Sequence, residues 1–142
     1  MTVGYFDASA LVKIFLDEED SSLAVDFWNG VSVAATSWLT YVEVEAAIAA
    51  SRRRQGLGEQ FAVRARNDWW RIRPTTRAMP LTPAIAAMAG DLVHNHSLSG
   101  ADAVHLATAL AFGADSVVMV TWDRRLAVAA LAEGLSVAPA AA

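Results

Sequence analysis

Four carboxylates scattered along the chain, Asp7, Glu43, Asp102 and Asp123, are the residues whose type and setting best suit chemistry. Carboxylates brought together repel, each raising its neighbour's pKa, so a cluster of them is unfavourable unless a cation sits among them. The sequence contains no cysteine, which excludes disulfides, thiolate-held zinc, iron–sulfur clusters and thiol nucleophiles. Any metal must be held by oxygen or imidazole. A hard divalent cation suits such oxygen ligands, and it lowers the pKa of its bound water towards the range of a nucleophile at neutral pH.

Acids so far apart can meet only if the fold brings them together. Short β-prone apolar runs lie at Val3–Phe6, Val31–Ala35, Ser116–Thr121 and Leu135–Ala138, with a weaker one at Ala78–Leu81. Helical stretches fall between them: Ser9–Leu16, Ser21–Trp28, Trp38–Arg54, Glu59–Arg73, Pro83–His94, Ala101–Phe112 and Arg124–Glu133. Thr82-Pro83 offers a cap and a first-turn proline, Ser99 or Asp102 can cap the next helix, and Asp123 the last. Gly113 and Gly134 stand where helices should stop. Alternating elements with nearly continuous apolar strands, such as Val117-Val118-Met119-Val120, predict an α/β domain of three layers, α/β/α, around a central, mostly parallel sheet of about five strands. Such sheets bind ligands at the carboxyl ends of their strands. Asp7 follows the first strand and Asp123 a later one, while Glu43 and Asp102 are placed in the first turns of helices pointing at the same crevice.

The 142 residues and 15.1 kDa suit one domain, 1–142, with Ala138–Ala142 read as a frayed tail. With 55% hydrophobic and 18% charged residues the chain should fold. No basic N-terminal segment leads into a long apolar stretch, and the apolar run Val31–Val42 is too short for a membrane span, so a cytoplasmic protein is expected. The net charge of −4 opposes a phosphate-bearing partner at first sight. Its distribution does not: Arg52 to Arg77 holds eight arginines against Glu59 and Asp68, a net +6 that leaves the rest at −10.

Four segments carry a resemblance. Tyr5-Phe6-Asp7-Ala8-Ser9-Ala10-Leu11-Val12-Lys13, Thr40-Tyr41-Val42-Glu43, Ala101-Asp102-Ala103-Val104-His105-Leu106-Ala107 and Val120-Thr121-Trp122-Asp123-Arg124-Arg125-Leu126 are similar, in order and spacing, to the motifs of PIN domains. Within that family they resemble the VapC-type toxins of bacterial toxin–antitoxin pairs. The resemblance implies an endoribonuclease with Asp7, Glu43, Asp102 and Asp123 as metal-site and catalytic acids holding Mg²⁺ or Mn²⁺. It also implies a VapB-type antitoxin, a homodimer, and structured RNA of the transfer or ribosomal class as substrate.

Each residue has a plainer alternative. Asp7 can be a turn or cap residue, and Asp102 and Asp123 N-caps, roles compatible with metal binding. Glu43 competes with Glu45 on a different helical face; the Thr-x-x-Glu pattern selects Glu43 and leaves Glu45 solvated or paired with arginine. Ser9, Thr121 and His105 are candidates to support the acids, with helix start, strand-end hydroxyl and buried core histidine as the alternatives. His94-Asn95-His96 reads as a solvated loop, Asp17-Glu18-Glu19-Asp20 as a solvated helix connection, and Asp115 as a turn residue at the far strand end. Lys13, Arg52, Arg53 and Arg54 are candidate RNA contacts, against snorkelling or a solvated or antitoxin-facing helix. One of Trp69 and Trp70 should pack inward.

Other enzyme classes fit poorly. A haloacid-dehalogenase phosphatase needs an acid two after its first aspartate, where this chain has Ser9; a receiver domain needs a late lysine, and the only lysine is Lys13; no G-x-G-x-x-G turn is present. The remaining alternative is a non-catalytic PIN-like module that binds RNA or protein.

Overall fold

A computed structural model describes residues 2–140. The elements run β1 (Val3–Phe6), α1 (Ala8–Phe15), α2 (Ser21–Gly30), β2 (Val33–Ser37), α3 (Trp38–Arg54), α4 (Glu59–Ile72), a 3₁₀ turn (Arg73–Thr75), β3 (Arg77–Met79), α5 (Pro83–Asn95), α6 (Gly100–Leu110), β4 (Val117–Val120), α7 (Arg124–Ala132) and β5 (Ser136–Ala138). The five strands form one sheet in the order β3-β2-β1-β4-β5, every pairing parallel. The chain builds outward from β1 through β2 to β3, then returns to the other side of β1 for β4 and β5. The order therefore reverses between β1 and β4, and a doubly wound sheet opens its ligand crevice at the carboxyl ends of such a pair.

Strand periodicity explains the layers. Tyr5 and Met119, paired across β1 and β4, point into a core with Leu92, Leu106 and Leu126 from α5, α6 and α7. Their neighbours Phe6 and Val120 point the other way, into a core with Leu11, Val44, Ile48 and Trp69 from α1, α3 and α4. Successive side chains of a strand face opposite sides, so a sheet apolar on both faces needs helices on both. The three-layer α/β/α expectation is met.

Most boundaries agree within two residues, and the differences have local causes. Ala138 belongs to β5, paired with Val120 and accepting from Thr121 N–H at 3.0 Å, so the tail starts later than expected; residues 141–142 lie outside those described. β2 lies two residues later than predicted because Val33, not Val31, aligns with Val3. β3 stops at Met79, before Pro80, which has no N–H to donate. Ser99, not Asp102, caps α6, its Oγ accepting from Asp102 N–H. His94 and Asn95 complete α5 instead of forming a loop, and His96 Nε2 meets Glu133 Oε2 at 2.8 Å. Gly113 and Gly134, with φ of 90° and 88°, end α6 and α7 as expected. Among the described residues no helix is long and apolar enough to cross a membrane.

Leu106 is fully buried on the face of α6 that positions the crevice. Leu106→Ala should cost about 2–5 kcal/mol, read as a lower urea midpoint with an unchanged slope. A cost below about 1 kcal/mol would show that α6 is not anchored by this contact.

Candidate active site

Asp7 occupies the first position beyond β1, its N–H directed at Val120 C=O of β4 at 3.5 Å. Its side chain caps α1 by accepting from Ala10 N–H at 3.0 Å. Ser9 Oγ donates to the same oxygen, Oδ1, at 2.6 Å, and Thr121 Oγ1 donates to Oδ2 at 2.6 Å. Thr121 Oγ1 in turn accepts from Asp123 N–H at 3.0 Å, and Ser9 Oγ accepts from Trp122 N–H at 3.0 Å. The ends of β1 and β4 are thus laced together around one carboxylate that is only 4% exposed. Burial pushes the Asp7 pKa upward, and Ser9, Thr121, His105 and the Ala10 amide act against that rise without cancelling it. Of the lone pairs on the carboxylate, two on Oδ1 and one on Oδ2 are taken, which leaves Oδ2 able to accept one more partner.

Asp123 caps α7, accepting from Leu126 N–H at 3.1 Å. Asp102 lies in the first turn of α6. Its pKa is raised by partial burial and then by the charges of Asp123 and Asp7, with Ser99 and His105 opposing. Asp102 therefore lies near enough to Asp123 and Asp7 for their charges to act on it. Glu43 sits in the second turn of α3, one turn deeper than expected, because Ser37 caps that helix and its first turn begins at Trp38. It reaches the site by a buried relay: Glu43 Oε1 meets His105 Nε2 at 2.5 Å, and His105 Nδ1 meets Tyr5 Oη at 2.7 Å. Burial, together with the charges of Asp7 and Glu43, holds the Tyr5 phenol protonated well above its usual range. A protonated phenol donates to Nδ1, so the neutral imidazole carries its proton on Nε2 and gives that hydrogen bond to Glu43. Burial disfavours the His105 cation, but the Glu43 hydrogen bond and charge, then Asp7 and Asp102, outweigh it and raise the pKa.

The remaining candidates divide clearly. Ser9, Thr121 and His105 all contact the acids. Glu45 faces α4, where Arg66 Nε lies 3.0 Å from both of its oxygens. Lys13 is committed: Nζ donates to Glu19 C=O at 2.8 Å, pairs with Glu18 at 3.5 Å and lies 5.4 Å from the Trp122 ring. The acidic connection is therefore structured rather than simply solvated, and Asp20 also accepts from Trp122 Nε1 at 3.0 Å. Arg52, Arg53 and Arg54 end α3, nine to eleven residues beyond Glu43, roughly 13–17 Å along the axis. Trp69 is buried and Trp70 exposed beneath Arg73. Tyr5 was not singled out in the sequence, where nothing connects it with a histidine a hundred residues away.

A divalent cation would meet only hard oxygen donors at this crevice. Among the described residues no three acidic or imidazole side chains close on a single point. Mg²⁺ commonly takes only one or two carboxylates, keeps several waters and adds substrate phosphate oxygens, so the free Oδ2 position of Asp7 and the mutually repelling Asp102 and Asp123 fit such an ion.

Two substitutions probe this arrangement. In EDTA, Asp7→Asn should raise the thermal midpoint at pH 7, because it removes a buried charge. A folded pKa above the unfolded value of about 3.9 destabilises the fold fully above the folded pKa. The advantage of Asn should therefore shrink as pH falls through that value and vanish below about 3.9; a gain independent of pH would refute a charge penalty. Tyr5→Phe leaves His105 Nδ1 without a partner and should cost about 1–3 kcal/mol in denaturant unfolding, whereas a neutral effect would show the relay to be dispensable.

Comparison with known proteins gives a consistent result. The PIN domain family model matches residues 4–132. Ribonuclease VapC45 of Mycobacterium tuberculosis strain CDC 1551 is 47% identical over 140 residues, covering 99% of this chain and 97% of the relative. The crystal structure of Mycobacterium tuberculosis VapC20, described as a sarcin-ricin loop cleaving toxin, has a TM-score of 0.68 at 20% identity over 89% of this chain and 94% of that one. A toxin–antitoxin complex from Klebsiella pneumoniae contains a chain with a TM-score of 0.62 at 19% identity, over 87% of this chain and 90% of that one. The two structural likenesses concern fold, and the near full-length identity concerns ancestry. With a PIN domain model matching residues 4–132 and a relative 47% identical over nearly its full length, the chain belongs to the PIN domain family.

Proposed function

We propose that this protein is a metal-dependent endoribonuclease, the toxin of a toxin–antitoxin pair, hydrolysing phosphodiester bonds of structured RNA. The observation that carries this reading is the buried Asp7 carboxylate at the β1/β4 switch point, with Asp102 near enough for the charges of Asp123 and Asp7 to raise its pKa. The near full-length relative named a ribonuclease supports the activity, the toxin–antitoxin complex among the structural neighbours is in keeping with a protein antitoxin, and the VapB type follows from the family resemblance. A homodimer, a transfer or ribosomal RNA substrate, and action in the cytoplasm, where such RNA is found, complete the reading.

Asp7, Asp102, Asp123 and Glu43 would hold Mg²⁺ or Mn²⁺. When bound, the ion would supply a hydroxide-like water near neutral pH and neutralise charge on the phosphate under attack. The chain's own contribution is placement. Ser9 and Thr121 prevent the Asp7 carboxylate from rotating, and Thr121 fixes the backbone that presents Asp123. His105 orients Glu43 and spreads its charge into a hydrogen-bonded network. Asp102 and Asp123 remain accessible enough to meet a substrate-borne ion.

A non-catalytic RNA- or protein-binding module is the competing reading, and the retained, mutually repelling acids weigh against it: a binding module has no use for their cost. RNA cleavage should require Mg²⁺ or Mn²⁺, stop in EDTA and return on adding the metal. Asp102→Asn should lower the rate by more than about 100-fold, with circular dichroism and thermal midpoint preserved. Undiminished cleavage in EDTA would sink the metal mechanism, and RNA retention without turnover at any metal concentration would favour the module.

A further inference from the structure

The cations of this molecule separate into those already engaged and those left free. Lys13 is held by Glu18 and the Glu19 carbonyl, Arg66 by Glu45, Arg71 by Asp68 at 3.3 Å, and Arg73 lies 3.9 Å from the centre of the Trp70 ring. Arg124 and Arg125 are exposed and make no ion pair among the described residues. They open α7 directly after Asp123. Both line a cleft of about 690 Å³ between α7 and the loop His96-Ser97-Leu98, with Val128 on the α7 side. That loop leads straight into Ser99 and the turn of α6 that carries Asp102. Arg124 also borders a second cavity, of about 500 Å³, whose wall includes Thr121 and Asp123.

This placement answers an electrostatic problem. A polyanion approaching Asp7, Asp102 and Asp123 is repelled by the same charges that would hold a cation, in a chain already at −4. Free guanidinium groups beside the acids offset that repulsion where it acts, and the arginine fork matches a phosphate in two-point hydrogen bonding. Arg52 and Arg53 also border a cavity, of about 700 Å³, with Ile48, Leu57 and Arg66, but at the opposite end of α3 from the acids. Resting on the reading of the site as a ribonuclease, we propose that the cleft along α7 carries the RNA backbone next to the bond that is cut, and that Arg124 and Arg125 bind its phosphates.

The test uses the full chain and a fluorescein-labelled single-stranded RNA oligonucleotide, with binding followed by anisotropy in EDTA across a salt series. Each phosphate contact on a single strand contributes about 0.7 to the slope of log K against log salt, so Arg124→Ala/Arg125→Ala should reduce the slope by about 1.4. It should raise the KM for metal-dependent cleavage proportionately more than it changes kcat. Arg124→Lys/Arg125→Lys should keep the slope while weakening binding, because charge remains and the fork is lost; this arm also shows that the double substitution does not act through misfolding. Arg52→Ala/Arg53→Ala should leave slope and KM unchanged. An unchanged slope and KM in the Arg124/Arg125 alanine variant, or an equal loss in the Arg52/Arg53 variant, overturns the assignment. So does loss of antitoxin binding with the RNA terms intact, which would give the cleft to a protein. If the unmodified protein neither binds nor cuts RNA in any metal, the ribonuclease reading itself fails.

Discussion

The Asp7 carboxylate sits almost out of contact with water where the two central strands end, and a charge removed from water has to be compensated by whatever surrounds it. Here the compensation comes from two hydroxyls and one amide, contributed by α1 and by the residue following β4. The same hydroxyls accept from the Trp122 and Asp123 amides, so the charge becomes the point at which β1, α1, β4 and α7 are joined. Compensation is incomplete, since burial still holds the pKa up. A cation of the kind proposed, placed there, would remove a penalty that the fold already bears.

A second constraint ties the layers to one another. Tyr5 belongs to the core beneath α5, α6 and α7, whereas α3 covers the opposite face of the sheet. The Tyr5–His105–Glu43 relay passes around the carboxyl edge and connects the two sides without a backbone link. His105 is thus both packed in the core and bonded to Glu43, one of the candidate acids. The Glu43 carboxylate, on a long and rotatable side chain, is bonded to a ring that is buried and held at its other nitrogen by Tyr5.

Charge is arranged with comparable economy. Three of the eight arginines between Arg52 and Arg77 are engaged, Arg66 with Glu45, Arg71 with Asp68 and Arg73 with Trp70 and Tyr41. The net +6 of that segment thus overstates what it offers to a polyanion. Two arginines at the start of α7, inconspicuous in a count of charges, directly follow Asp123 and make no ion pair among the described residues.

The sequence alone determined the layer architecture and set Asp7 and Asp123 just beyond the carboxyl ends of β1 and β4. Apolar strands at regular intervals require helices on both faces, and strand-end aspartates must fall at one edge of a parallel sheet. Strand β1 and helix α3 lie where the apolar run Val3–Phe6 and the helical stretch near Trp38–Arg54 place them, and the structure adds Ser37 as the cap of α3. What only the tertiary structure decided is which side chains share the site. Glu43 and Glu45 stand two residues apart among alanines and valines, and in the sequence only the Thr-x-x-Glu pattern shared with the family separates them; in the structure Arg66 from α4 and His105 from α6 do. Tyr5 likewise reads as an ordinary strand residue until His105 arrives from a hundred positions away. Local sequence sets propensity and periodicity, whereas hydrogen bonds between distant residues depend on packing angles that no short window of sequence contains.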